Sequence, residues 1–415
     1  MVHWRKALPL GLLCIAVPGA VYGQEDLRGV GVLDRLRPAY DPDGVRLGAF
    51  EIKTGVKVSE TYTDNVFASE TNKKSDIITS VAPDITVTST WSRHQLRLRG
   101  SLDTRFHAQE SDENATDWAL GADGRIDITR NTTLALDAGY RREHEERGEP
   151  DAFAAAEEPT QYDIIETGFE LAQRFNRFSV ALGGRYADVD YEDVARTGGG
   201  TIDNDFRDRE AYLAQFKLGY EVSPDTSLFA LAEVNQRDYD RIDPALGAKR
   251  DSEGYELRGG VDLKLTRLVD GQVYVGYREQ QYDAAALEDV SGVSYGANLN
   301  WYATPLTTLR FTALSDLEET IEAGASGNER TALGAAVDHE LLRNLILTAD
   351  ASYENEDFIG SSREDDTYTF GFGGTYLMNR HFRFGLNYKF TSRDSTDLGE
   401  DYDENLIGVF IRTDL

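Results

Sequence analysis

The chain has 415 residues, 73 acidic against 43 basic side chains and a formal net charge of −30. So large an acidic excess excludes a nucleic-acid backbone as partner. Mean hydropathy is −0.47 and no apolar run of about 20 residues is present to form a membrane helix, an exclusion that does not reach β-barrels, which spread their apolar residues thinly along each strand.

The N-terminus reads as an export signal. Arg5 and Lys6 precede the apolar stretch Ala7 to Ala16, and the compact Val21-Tyr22-Gly23 stands before Gln24. That is the layout of a leader cleaved after residue 23, while Pro9, Pro18 and Gly19 interrupt any folded helix. Cys14 is the only cysteine, and it leaves with this leader. The mature chain then has no thiol, disulfide or cysteine metal site. Residues 24–46 follow as a short periplasmic segment, too short for a plug domain, and residues 47–415 as one barrel.

From there the dominant signal is alternation with period two, which sends successive side chains to opposite faces of a strand. Leu96, Leu98, Leu102 and Phe106 interleave with Arg97, Arg99, Asp103 and Arg105. Leu134, Leu136, Ala138 and Tyr140 interleave with Asp137, Gly139 and Arg141, and Tyr255, Leu257 and Val261 with Glu256, Arg258 and Asp262. Near the end, Phe382, Phe384, Leu386 and Tyr388 interleave with Arg383, Asn387 and Lys389.

Tight polar turns fall at 91–94, 129–131, 174–176, 223–225, 269–271, 304–305, 343–344 and 378–380. Longer, acidic, Gly-rich connections alternate with them, the longest at 146–160 and 192–206. Each pair reads as a hairpin. The pattern predicts an all-β, transmembrane antiparallel up-and-down β-barrel of about 18 strands, with short periplasmic turns and longer acidic extracellular loops.

A soluble solenoid would have shorter rungs, and a soluble sandwich gives no reason for aromatics at strand ends. Here Phe106, Tyr140, Tyr186, Tyr212, Tyr277, Tyr353 and Phe390 close many apolar faces, as interfacial girdles do. The last strand places Ile407, Val409, Ile411, Thr413 and Leu415 on one face. It ends on an apolar residue, as barrel-assembly signals commonly do, though on leucine instead of the usual aromatic.

Several stretches resemble a family of outer-membrane β-barrel porins: Arg37 to Phe50, Glu60 to Phe67, Ser75 to Ile78 with Pro83, Arg142 to Asp151 and Glu157 to Tyr162. The resemblance covers most of the mature chain, with its clearest motifs in the first third. Many members look like components of exopolysaccharide biosynthesis or export loci. The resemblance therefore implies a Gram-negative outer-membrane location and a part in passing polysaccharide or small solutes. The implied partners are outer-membrane lipid and lipopolysaccharide, a hydrophilic solute and periplasmic export components.

If the apolar face meets lipid, the charged face lines the lumen. Expected pore-lining residues are Lys53, Lys57, Arg97, Arg99, Asp103, Arg105, Asp123, Arg125 and Asp137 from the first third. Arg141, Glu143, Arg185, Arg258, Arg278, Arg310, Arg383, Lys389 and Arg412 complete the set. So many charges need a wet or heavily paired interior. They either orient passing solutes or pair to hold the wall, and the two readings are compatible.

Tyr239, Tyr274 and Tyr282 are candidate stacking surfaces for sugars, though they form no evident track. Asp394 to Glu404 carries six acids and no base, but its spacing matches no EF-hand loop. No cofactor is expected.

His144-Glu145 opens like the zinc-protease pattern, yet Gly148 stands where the second histidine belongs. Strict alternation puts His144 and Glu145 on opposite faces, with Arg141, Glu143 and Glu145 as a charged pore lip. None of the five histidines beyond the leader sits in a nucleophile motif, so no enzyme is expected. No loop is long enough to fold deeply into the lumen, and an open or loosely gated pore follows.

Overall fold

A computed structural model describes residues 29–265 and 267–415. The expected leader, 1–23, lies outside the described residues.

Eighteen long strands form the wall. The first six are β1 Phe50–Thr63, β2 Asp76–Ser89, β3 Gln95–His107, β4 Ala115–Asp127, β5 Thr132–His144 and β6 Gln161–Phe175. Next come β7 Phe178–Tyr191, β8 Arg209–Ser223, β9 Thr226–Tyr239, β10 Ser252–Leu265, β11 Val269–Tyr282 and β12 Val290–Thr304. The last six are β13 Thr307–Glu318, β14 Gly327–Leu342, β15 Leu345–Ile359, β16 Glu364–Leu377, β17 Phe382–Ser395 and β18 Tyr402–Asp414. Every strand pairs antiparallel with its neighbours in sequence, and β1 closes the ring against β18 from Gly55↔Asp414 to Thr63↔Leu406. Closure removes the two free edge strands that an open sheet would present to hydrocarbon.

The β1 strand extends below the end of β18, and Val45–Leu47 takes the vacant edge, pairing Val45↔Ile52 to Leu47↔Phe50. Strand lengths run from 12 residues in β13 to 16 in β14, enough for a tilted strand to cross the hydrocarbon and project beyond it.

Period two fixes which face is which. Leu98, Leu120, Leu136, Phe169, Leu182, Leu257, Val275, Phe372 and Leu386 are exposed on the outer wall, the band that barrels offer to lipid. Above it lies a girdle of paired rings, with centroids 4.7 Å apart for Trp118–Tyr140, 5.2 Å for Tyr186–Tyr212 and 5.2 Å for Tyr353–Tyr368. Their hydroxyls reach acids on neighbouring strands, as Tyr353 donates to Asp366 at 2.7 Å and Tyr186 to Glu210 at 3.0 Å. Such rings suit a boundary that is apolar below and wet above.

One expected turn sits elsewhere. The chain reverses between Leu265 and Val269, with the Leu268 N–H donating to the Leu265 carbonyl and Arg267 in the left-handed region at φ 57°, and 269–271 belongs to β11. Gly271 answers a close approach rather than a reversal, since a Cβ there would lie 1.9 Å from the Asn298 carbonyl oxygen on β12.

Both openings are lined by chain outside the wall. At the periplasmic rim, Val32 packs fully buried against Ile346 and Leu377, and its N–H donates to Thr308 Oγ1 at 3.0 Å. Arg37 pairs with Glu340 at 3.0 Å, and Arg380 binds Asp43 and the Pro38 carbonyl. Residues 29–43 thus follow the rim from β13 to β17. On the other side the loops share small cores: Ala284, Leu287 and Leu317 with Tyr282 and Val290, and Ala156 with Val194 and Ile202.

Candidate functional site

The lumen is lined by the charged rows of the strands. Each of the eighteen expected pore-lining residues occupies an inward position of its ladder, alternating with outward neighbours such as Leu98, Tyr277, Phe311 or Ile411. Most are paired. Lys53 meets Glu51 at 3.0 Å, Arg99 meets Asp123 at 2.7 Å, Arg105 meets Asp103 at 3.6 Å and Arg125 meets Asp127 at 3.1 Å. Arg141 reaches both Glu166 at 3.0 Å and Glu143 at 3.6 Å.

Further round, Arg185 stands 3.9 Å from Asp137, Arg258 pairs with Glu256, and Arg310 with Asp338 at 2.9 Å. Arg412 joins Asp84 and Asp414, which also takes Arg383 at 3.2 Å. Arg97 and Lys389 make no ion pair among the described residues, and the Lys57 ammonium lies 5.2 Å over the Phe410 ring.

Arg278 is the exception. The β12–β13 ladder stops at Gly296↔Leu314. Above that point Arg278, buried, reaches Ser315 at 2.7 Å and Glu329 at 2.8 Å. It closes a seam in the wall instead of lining free space.

The mouth departs most from the sequence reading. Residues 145–160 do not rim the pore; they form a strap that crosses it. Arg147 grips Glu113 beside the start of β4 and donates to the Ala156 carbonyl at 3.1 Å. Farther along, the Gly148 carbonyl accepts from Arg393 on β17 at 2.5 Å. The Pro150 carbonyl accepts from Arg363, which precedes β16, at 3.3 Å. Asp151 Oδ1 accepts from Thr320 Oγ1 at 2.8 Å and from the Ile321 N–H at 3.2 Å. A strap that leaves the wall at β5 and β6 and docks on β16, β17 and the β13–β14 loop reaches the far side of an eighteen-strand ring.

His144 and Glu145 therefore do not face opposite ways. The strand ends at His144 and the chain turns inward, so both side chains are buried. His144 Nδ1 lies 2.7 Å from Asp117 Oδ1. Glu145 is clamped by both guanidinium nitrogens of Arg207, whose plane stacks 3.9 Å over the Tyr191 ring. The expected lip residue Glu145 is a buried anchor of the strap. Alternation could not foresee this because it holds only while the strand lasts.

Other arginines missed by the sequence reading serve the same lid. Arg363 pairs with Asp365 at 2.7 Å and Glu322 at 3.2 Å, and Arg250 with Asp243 at 2.8 Å. Tyr239 and Tyr282, two of the candidate stacking rings, are buried under these loops, Tyr239 donating to Glu319 at 2.5 Å. Tyr274 lies against the wall, where a Cβ on Gly296 would meet its ring at 2.4 Å.

Outside the wall, Asp208 stands beside Asp190, Asp205 and Asp240 in the loop before β8. Burial, and then the neighbouring carboxylates, push its carboxyl up to about 6, against the pull of the Tyr191 N–H that it accepts at 2.7 Å. Asp193, Asp203 and Asp205 bring carboxylate oxygens together in the same loop, but Arg241 already neutralises Asp205 at 2.5 Å.

A closed antiparallel barrel with an apolar outer band, an aromatic girdle, a charged lumen and an inward strap defines a porin-class protein of the outer membrane. The family described as "Putative beta-barrel porin 2" matches residues 37–415, and the chain belongs to it. That family places it among transport barrels rather than enzymes.

Among solved structures, it is similar to OpdK of Pseudomonas aeruginosa, crystallised with vanillate, at 10% identity and a TM-score of 0.47. That match covers 88% of this chain and 99% of the other. OccAB3 of Acinetobacter baumannii matches at 10% identity and a TM-score of 0.47, over 89% and 100% of the two chains. The P. aeruginosa siderophore receptor PirA matches at 8% identity and a TM-score of 0.46, over 88% and 80%. No curated protein matches.

Proposed function

We propose that this barrel is a gated outer-membrane channel for hydrophilic solutes, saccharides of an exopolysaccharide among them, made with a leader that is removed after residue 23. The observation that carries the reading is the strap 145–160, fastened across a charge-lined lumen by arginine-to-carbonyl and hydroxyl-to-carboxylate contacts. Polar latches of this kind exchange readily with water, so they suit a closure that opens. The resemblance to barrels of polysaccharide loci supports the solute class.

A second reading has its own support. Chain lines both mouths, 29–43 at the periplasmic rim and the loops opposite, which also suits a non-conducting scaffold for an export machine. Planar-bilayer recording of the purified barrel separates the two. A channel shows current steps that added oligosaccharide interrupts. A silent bilayer, with polysaccharide export lost in the deletion strain, would favour the scaffold. Mass measurement of the purified protein checks the leader, whose removal leaves Gln24 first.

A further inference from the structure

We propose that the outer wall across β5–β11 binds one acyl lipid that carries an ammonium head group. The site is a groove of about 890 Å³, within the ordinary range for a small-ligand pocket.

Register locates it. Leu136, Phe169, Gly184, Ala214 and Val234 are successive cross-strand partners, and the row runs on to Tyr255 and Glu279. One step toward the extracellular side, Thr167, Tyr186, Tyr212, Gln236, Glu253 and Gln281 form the parallel row. Both rows line the groove. Cross-strand partners share a face, and Phe169, Tyr212, Val234 and Tyr255 are exposed, so this is the outer face. On the lumenal side of the same strands Ala187, Ala211, Leu213 and Leu231 are buried.

The groove has a floor and a gradient. Ala214 leaves the floor low, and Gly184 lets the Phe169 ring lie along the wall, since a Cβ there would meet the ring at 2.7 Å. The rows begin apolar at Leu136 and Phe169 and end polar at Gln236, Glu253, Glu279 and Gln281. Rows run perpendicular to strands that tilt by about 35–45° in such barrels, so one end lies deeper in the membrane than the other. A ligand that follows the groove is therefore amphipathic, with its chain at the β5–β8 end and its head at the β9–β11 end.

Charge selects the head. Glu279 accepts from Tyr255 at 2.8 Å and Gln281 at 2.7 Å. Neither it nor Glu253 has a cation against it among the described residues. Arg185, the one basic residue lining the cavity, points to the lumen and Asp137. Two carboxylates at the polar end attract an ammonium and repel a head whose only charge is a phosphate.

The test is native mass spectrometry of the detergent-purified barrel offered phosphatidylethanolamine or phosphatidylglycerol of equal chain length. The expected result is a single phosphatidylethanolamine adduct that survives delipidation. Ala214→Phe, which fills the floor, should weaken it about tenfold. Glu253→Gln with Glu279→Gln should erase the preference over phosphatidylglycerol while the barrel still shifts on heating. Equal adducts of both lipids on the parent, or an adduct untouched by Ala214→Phe, would overturn the proposal. So would a multimer that Ala214→Phe dissolves, because a second copy would then fill the groove.

Discussion

Asp208 shows how one carboxyl can make a loop sensitive to pH. Its ordinary value lies near 3.8, and in the folded loop it is raised to about 6 by burial and then by Asp190, Asp205 and Asp240. Between those values the folded state binds the proton that the unfolded state has released, so stability falls as pH rises through this window. Asp208→Asn keeps an oxygen for the Tyr191 N–H and removes the charge. The variant should match the parent near pH 4 and resist proteolysis of the 192–208 loop better at pH 7. Equal cleavage of the two at pH 7 would sink the argument.

The Glu145–Arg207 pair, both partners buried, makes the complementary case. Removing one partner strands the other charge without water. Arg207→Ala should cost about 3–5 kcal/mol, read as the urea midpoint, whereas Glu145→Ala with Arg207→Ala should cost less than Arg207→Ala alone. If the double variant is the worse one, the burial of these charges has been misjudged.

Among the elements, strands were legible and the strap was not. A strand writes its two faces into adjacent residues, so Leu96 to Phe106 or Phe382 to Phe390 declares itself locally. Turns were legible too, apart from the one at Arg267-Leu268, which Gly271 drew into the next strand by mimicking a reversal where it serves a close backbone approach. The strap's partners carry no such local mark. Asp151 meets Thr320 across 169 positions, Pro150 meets Arg363 across 213 and Gly148 meets Arg393 across 245. No periodicity encodes contacts of that range.

The family stretches Arg142 to Asp151 and Glu157 to Tyr162 cover the two ends of this strap, so the sequence marked the right segment while its direction stayed hidden. If the strap closes the lumen, deleting 148–158 should raise single-channel conductance severalfold while heat-modifiable migration persists. Asp151→Ala, which frees only the Thr320 and Ile321 end, should lengthen open times with a smaller rise. Unchanged conductance in the deletion would mean that ions already pass beside the strap.

At the scale of the whole molecule, the charge of −30 is unevenly placed. The lumen balances much of its charge through arginine–carboxylate pairs such as Arg412 with Asp84 and Arg99 with Asp123. Much of the acidic excess stands in loops and on the outer rim, in Asp238, Asp240, Asp357 and Asp397. A negative ring at the mouth gathers cations before they meet the balanced lumen. The pore, once open, should be cation-selective at low salt although many of the side chains lining it are arginines and lysines. Because surface charge is screened over about 10 Å at 0.1 M and about 3 Å at 1 M, the preference should fade as salt rises. Reversal potentials in matched KCl gradients at both ionic strengths measure this. Anion preference at low salt would instead assign selectivity to lumenal cations such as Arg97, Lys57 and Lys389, which make no carboxylate ion pair among the described residues.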